Sequence, residues 1–100
     1  MNSDKRNPSE AQGRRWLVSG RVQGVGFRWY VLQTARRCDV AGDVRNLPDG
    51  RVEVRATGSA SCLASLLDEI RKGPRSSRVD EVLESVLDAD QEFEGFSLRY

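Results

Sequence analysis

The chain has 100 residues, of which 38% are hydrophobic and 31% charged, a mix that suits one ordinary globular domain and leaves no room for a separate cofactor domain. Its 16 Lys+Arg and 15 Asp+Glu give a net charge of +1, which is not the footprint of a protein built to grip nucleic acid. Histidine is absent and cysteine occurs only at Cys38 and Cys62, which excludes Ser-His and Cys-His pairs, a His base, His metal ligands and a four-ligand zinc site.

From the N-terminus, Met1 to Gly13 is polar without apolar periodicity and reads as a disordered tail, leaving residues 14–100 as the domain. Arg15 to Gly20 (RWLVSG) is a short apolar run ending in glycine, a strand. The glycine-rich RVQGVGFR follows at 21–28. Phe27, Tyr30, Val31, Thr34, Ala35 and Cys38 then recur at helical spacing, predicting a helix from about Gly26 to Cys38. Asp43 to Leu47 and Arg51 to Thr57 flank Pro48-Asp49-Gly50. In the second arm Val52, Val54 and Ala56 alternate with Glu53 and Arg55, the pattern of a β-hairpin. Gly58-Ser59 opens a second helix with Leu63, Leu66, Leu67 and Ile70 on one face, capped by Ser59 or Ser61 and ended by Gly73-Pro74.

The segment 78–87 is ambiguous. Val79, Val82, Leu83, Val86 and Leu87 fit a helical stripe; alternation gives a strand with Val82 and Val86 on one face and Val79, Leu83 and Leu87 on the other. Phe96, Leu98 and Tyr100 alternate as a closing strand. The order is β-α-β-β-α-(β or α)-β, and with a strand at 78–87 this is an α+β ferredoxin-like sandwich with two helices on one face of a mainly antiparallel sheet.

Charge is uneven along the chain: residues 1–51 carry +5 and residues 52–100 carry −4. Only Lys5 and Lys72 are lysines. Codon bias is the bland explanation for so much arginine; an anion site in the N-terminal half is the sharper one, since arginine's planar fork suits phosphate. No apolar run approaches the ~18–20 residues of a membrane span, and no segment reads as a signal peptide. With no disulfide-rich pattern the default location is the cytoplasm. Cys38 and Cys62 are expected to pack as small apolar residues. Asp88-Ala89-Asp90 reads as a solvated loop, and Arg14-Arg15 and Arg36-Arg37 as solvated arginines. Trp16 and Trp29 are compatible with core or surface.

Two motifs carry chemistry. In GRVQGVGFR, residues 20–28, a strand runs through glycines into a helix start, where unpaired backbone N–H groups make an anion cradle. Gly24 and Gly26 permit a tight turn and close approach to a ligand. A helix start favours an acidic side chain, so Arg28 in the first turn makes sense if a bound anion supplies the negative charge; the alternative is a plain glycine turn with a solvent-facing arginine. The segment is neither a Walker loop nor GxGxxG, because no Gly-Lys-Ser/Thr follows and position 29 is Trp. The second motif is Asn46 in VRNLPDG. An asparagine before a turn is commonly turn chemistry. If Val44 and Asn46 share a face, however, the amide points inward at a sheet end and needs partners.

Taken together, GRVQGVGFR at 20–28, VRNLPDGRVEV at 44–54, Gly73-Pro74 followed by Val79, and the final FSLRY make the chain resemble the acylphosphatase family over residues 14–100. The resemblance implies a ferredoxin-like sandwich, hence a strand at 78–87. It also implies hydrolysis of acyl phosphates to a carboxylate and inorganic phosphate. The family's catalytic arginine falls on Arg28 and its catalytic asparagine on Asn46. Its phosphate loop falls on Val22, Gln23, Gly24, Val25, Gly26 and Phe27. No metal or other cofactor is expected. The expected partner is a small-molecule acyl phosphate, with no nucleic acid and no membrane, and a small sandwich needs no second subunit, so a monomer is expected. The chain departs from the family at Asp43, where a bulky aromatic is common, and at Cys38-Asp39-Val40. By alternation Asp43 faces away from Asn46, so a surface effect alone is expected of it. Two other readings stand beside this one. An RNA-binding ferredoxin-like module would stack bases on central-strand aromatics, which Arg51 to Thr57 lacks. An acylphosphatase-like module could bind a phosphoryl group without turning it over.

Overall fold

The computed structural model describes residues 10–88 and 90–100. The elements run β1 (Gln12–Arg21), α1 (Phe27–Arg37), β2 (Ala41–Asn46), β3 (Val52–Gly58), α2 (Ala60–Lys72), β4 (Arg78–Val86) and β5 (Phe96–Arg99). They form one sheet in the order β4-β1-β3-β2-β5, antiparallel except for the parallel β2-β5 pair. This is the expected ferredoxin-like α+β arrangement with an added C-terminal strand. Most of the expected tail falls outside the described residues, but β1 already includes Gln12 and Gly13, so the strand starts before the boundary read at residue 14.

The core lies between the sheet and both helices. Trp16, Val18, Val44, Val52, Val54 and Ala56 meet Phe27, Val31 and Ala35 of α1 and Leu63, Leu66 and Ile70 of α2. The α1 stripe is the one its spacing predicts, with Tyr30 half-buried and its hydroxyl donating to the Glu69 carbonyl at 2.9 Å. Burial, with Glu69 close by, pushes the Tyr30 hydroxyl up to about 12. Helix α2 is capped by Ser59, whose hydroxyl accepts from the Cys62 N–H at 3.1 Å. Cys38 and Cys62 are free, half-buried and packed against the core.

Segment 78–87 is a strand, and its helix-like spacing has a local cause. Ser19 pairs with Glu81 and Gly20 with Val79, so Asp80 is an extra residue, a β-bulge. The bulge shifts the alternation by one. Val79 and Val82, three apart, therefore both pack against the core, and Val79 does not share a face with Leu83 as simple alternation expects. Gly20 opposite the bulge has φ +129°, and a Cβ there would collide with the Arg78 carbonyl and the Asp80 amide. As an edge strand, β4 leaves Leu83 and Val86 exposed.

The sheet face away from the helices is held by ion pairs. Glu53 is buried and accepts from Arg15 Nε at 2.6 Å and Arg45 Nε at 2.7 Å. Arg15 is thus engaged rather than solvated. On the helix side Arg14 lies 3.7 Å from Glu84, and Arg36 donates to the Phe96 carbonyl at 3.3 Å. Asp43 does face away from Asn46, but it is only 5% exposed, which corrects the expected surface role. Its carboxylate takes a two-pronged contact from Arg55, at 2.9 and 2.6 Å, with Arg99 at 3.8 Å, so it holds strands β2, β3 and β5 together.

Burial alone would raise the Glu53 carboxyl, but Arg15 and Arg45 outweigh it and hold the group below its ordinary 4.5. A carboxylate lowered on folding adds stability above its unfolded pKa, and that stability is lost as pH falls through the lower folded value. Wild-type Tm should therefore drop as pH falls below about 4.5, and Glu53→Gln should flatten that drop. At neutral pH the variant should lose about 1–3 kcal/mol. Both arginines have side chains 38% exposed and can return to water, which keeps the loss modest. An unchanged acid profile in Glu53→Gln, measured by thermal unfolding across pH, would rule this pair out as an acid-sensitive element.

Candidate active site

The site forms where β1 hands over to α1. Gly24 (φ 75°) and Gly26 (φ 79°) both sit in the left-handed region, and a Cβ at either would meet open space. The requirement for glycine here is therefore backbone conformation, not crowding. Gly26 is the N-cap of α1 and offers no side-chain cap, and the first turn holds no acidic residue. The first N–H groups of an α-helix have no partner within the helix and carry its positive end. Here they open beside Arg28.

Two braces hold this loop. The Gln23 amide donates to the Leu47 carbonyl at 2.8 Å and to the Arg51 carbonyl at 2.9 Å, the two ends of the β2-β3 turn. That turn is itself closed by Leu47 N–H to the Arg51 carbonyl, 2.8 Å, and by the Asp49 carboxylate accepting from the Arg51 N–H, 3.0 Å. On the other side the Ser76 hydroxyl donates to the Val25 carbonyl at 3.1 Å. Gln23 thus ties the glycine loop to the hairpin that carries Asn46.

Asn46 ends β2 opposite Val52. Its Oδ1 is buried and accepts no hydrogen bond from the described residues. Buried polar atoms are nearly always partnered, so an orphan acceptor points to water or a ligand. Arg28 is held from the C-terminus: it donates through Nη1 to the Arg99 carbonyl at 3.1 Å, and its guanidinium lies 4.9 Å from the Tyr100 ring centre. The parallel pairing of β5 with β2, Val44 opposite Leu98 and Arg45 opposite Arg99, brings these last residues to α1.

One cleft of about 170 Å³ gathers the parts. Val22, Gly24, Gly26, Phe27, Arg28 and Asn46 line it, together with Trp29 and Leu98. The first six are among the residues singled out in the sequence. Gln23 and Val25 are not in the lining; they supply the braces. Trp29, Leu98, Arg99 and Tyr100 are additions that the sequence did not indicate. Their signal was weak: Trp29 directly follows Arg28, and FSLRY shows only a closing strand, not the neighbour it reaches. Arrangements of this kind, with glycine-loop amides, a helix N-terminus and a guanidinium around one small cleft, bind tetrahedral oxyanions.

A model of the acylphosphatase family matches residues 14–98. The chain belongs to the acylphosphatase family. It is 59% identical over 69 residues to an acylphosphatase of Koribacter versatilis, a match spanning 69% of this chain and 63% of that protein. To an acylphosphatase of Pasteurella multocida it is 45% identical over 87 residues, 87% of this chain and 97% of that protein. Among solved structures, the crystal structure of an acylphosphatase from Bacillus subtilis superposes with a TM-score of 0.86 at 36% identity, covering 89% of this chain and 99% of that one. The family membership accords with the strand at 78–87. None of the described helices is long and apolar enough to cross a membrane.

Proposed function

We propose that this chain hydrolyses the carboxyl–phosphate bond of acyl phosphates, releasing a carboxylate and inorganic phosphate. The observation that carries the proposal is a single cleft that combines an amide-rich anion cradle, one arginine and one orphan buried amide oxygen. At about 170 Å³ the cleft falls below the roughly 300–1,000 Å³ of pockets for larger ligands and suits a phosphoryl group.

The chemistry needs little from the protein. A carboxylate leaving group has a conjugate-acid pKa of about 4, so it departs without a general acid. The transition state of such a transfer is loose, with charge spread over the phosphoryl oxygens, and catalysis is mainly positioning and electrostatics. Backbone amides of the Val22–Phe27 loop and the Arg28 fork hold those oxygens. Asn46 Oδ1 accepts one O–H of a water and turns its lone pair towards phosphorus. As the P–O bond to the acyl group breaks, the electron pair leaves with the carboxylate. The water oxygen forms the new bond to phosphorus, and its proton is released to solvent. An amide orients this water but does not deprotonate it. No step of this scheme draws on a metal, a nucleotide or a covalent enzyme intermediate, and every part comes from one chain, so a monomer suffices.

The test is steady-state hydrolysis of benzoyl phosphate by purified protein with EDTA present. Turnover that the chelator leaves unchanged is the expected result. A folded protein that binds inorganic phosphate but hydrolyses nothing would replace this reading with a non-catalytic phosphoryl-binding module.

A further inference from the structure

The phosphoryl cradle accounts for Val22, Gly24, Gly26, Phe27, Arg28 and Asn46, which leaves two cleft residues, Trp29 and Leu98, without a part in the chemistry. Trp29 is 57% exposed, whereas Trp16 is 1% exposed in the core. Packing of α1 does not call for an apolar side chain at this position: its buried residues are Phe27, Val31, Leu32, Thr34 and Ala35, and Gln33, one turn on from Trp29, is exposed. A lone exposed apolar residue is ordinary. A tryptophan that lines the anion cleft, in the first turn beside the arginine, is not a scattered one.

The cleft also has a direction. Val22 and Phe27 are each 1% exposed and form its closed, core-side wall. A phosphoryl group seated against the glycine loop therefore has its acyl substituent directed towards the open rim. There the chain offers the exposed Trp29 indole and the half-buried Leu98. Aromatic side chains give a large, rigid contact surface with a favourable stacking geometry for another ring.

We infer that Trp29 is the platform for the acyl group, a specificity-determining residue that favours acyl phosphates with an aromatic acyl portion over short aliphatic ones. The inference rests on the acylphosphatase reading above and concerns a different part of the substrate. The phosphoryl end is gripped identically in every acyl phosphate, so discrimination comes from the rim.

The test compares kcat/KM for benzoyl phosphate and acetyl phosphate in wild type, Trp29→Ala and Trp29→Phe, with inhibition by inorganic phosphate measured in each. Wild type should prefer benzoyl phosphate. In Trp29→Ala the benzoyl-to-acetyl ratio should fall about tenfold, the scale of one aromatic contact with its buried area. Trp29→Phe should keep most of the preference, and the phosphate inhibition constant should hold in all three, showing folded proteins with an intact cradle. An unchanged ratio in Trp29→Ala, with hydrolysis otherwise normal, overturns the platform alone. A weakened phosphate inhibition with both substrates falling equally also overturns it, since Trp29 would then serve the cradle. A wild type that hydrolyses neither acyl phosphate overturns the acylphosphatase reading and the platform with it.

Discussion

Arg28→Ala should abolish measurable hydrolysis while leaving the protein folded. Arginine that neutralises a transferring phosphoryl group is worth about 10³-fold or more in turnover, roughly 4 kcal/mol of barrier. The side chain is well placed for that effect. It stands in the first turn of α1, where the backbone already favours negative charge, and among the described residues only the Arg99 carbonyl takes a hydrogen bond from it. A guanidinium has five N–H donors. One is used to fix its position, which leaves the rest of the fork to take up a phosphoryl group if the proposed reaction holds. Phosphate inhibition should weaken in the same variant, because ground state and transition state share the charge. Arg28→Lys restores charge without the planar fork, so it should recover only part of the loss. Tyr100→Ala tests the support separately: a cation–π contact at an exposed site is worth about 0.5–1 kcal/mol, so turnover should fall only about two- to fivefold. Thermal unfolding should show Arg28→Ala within about 1–2 kcal/mol of wild type, since the lost contacts are one partly exposed hydrogen bond and a cation–π contact to the exposed Tyr100 ring. A folded Arg28→Ala variant that kept most of its turnover would remove the arginine from the reaction.

The parts of the site that the sequence indicated and the parts it did not differ in a physical way. Residues 22–28 are contiguous, and their chemistry is local: glycines that reach positive φ, a helix start and an arginine in its first turn. Asn46 was legible because Val44 and Asn46 share a strand face and Val44 is apolar, so the amide had to point towards the core side of the sheet. The Gln23 brace, the Arg99 carbonyl and the Tyr100 ring depend on which strands become neighbours. No periodicity reports that β5 runs parallel to β2 and ends over α1. The same limit explains Asp43. Alternation placed it correctly on the face away from Asn46, but its burial comes from Arg55 on one neighbouring strand and Arg99 on the other. At 78–87 the pattern itself misled, since a one-residue bulge at Asp80 converts a period of two into a spacing of three that mimics a helix.

Asn46→Ala should separate rate from binding and from stability. If Asn46 Oδ1 positions the attacking water, its loss misplaces the nucleophile, and turnover should fall on the order of 10²-fold. Phosphate inhibition should change little, because the cradle amides and Arg28 remain; a loss confined to kcat marks an interaction made with the nucleophile. The rate should also stay nearly flat between mildly acidic and neutral pH in both proteins, since neither an arginine nor an amide titrates there, and a sharp bell centred near neutrality would contradict the assignment. Stability supplies the more telling readout. A buried acceptor without a partner costs about 1–3 kcal/mol relative to an apolar group of the same shape. Asn46→Leu, nearly isosteric, should therefore raise Tm while it destroys turnover. A structural asparagine predicts the reverse, because removing a satisfied turn or sheet contact lowers Tm. The turn next to Asn46 is already closed by Leu47, Asp49, Gly50 and Arg51 and braced by Gln23, without the Asn46 oxygen. The fold has no evident use for that oxygen, and a polar atom kept at the expense of stability is what a water-positioning group in a reaction site would be.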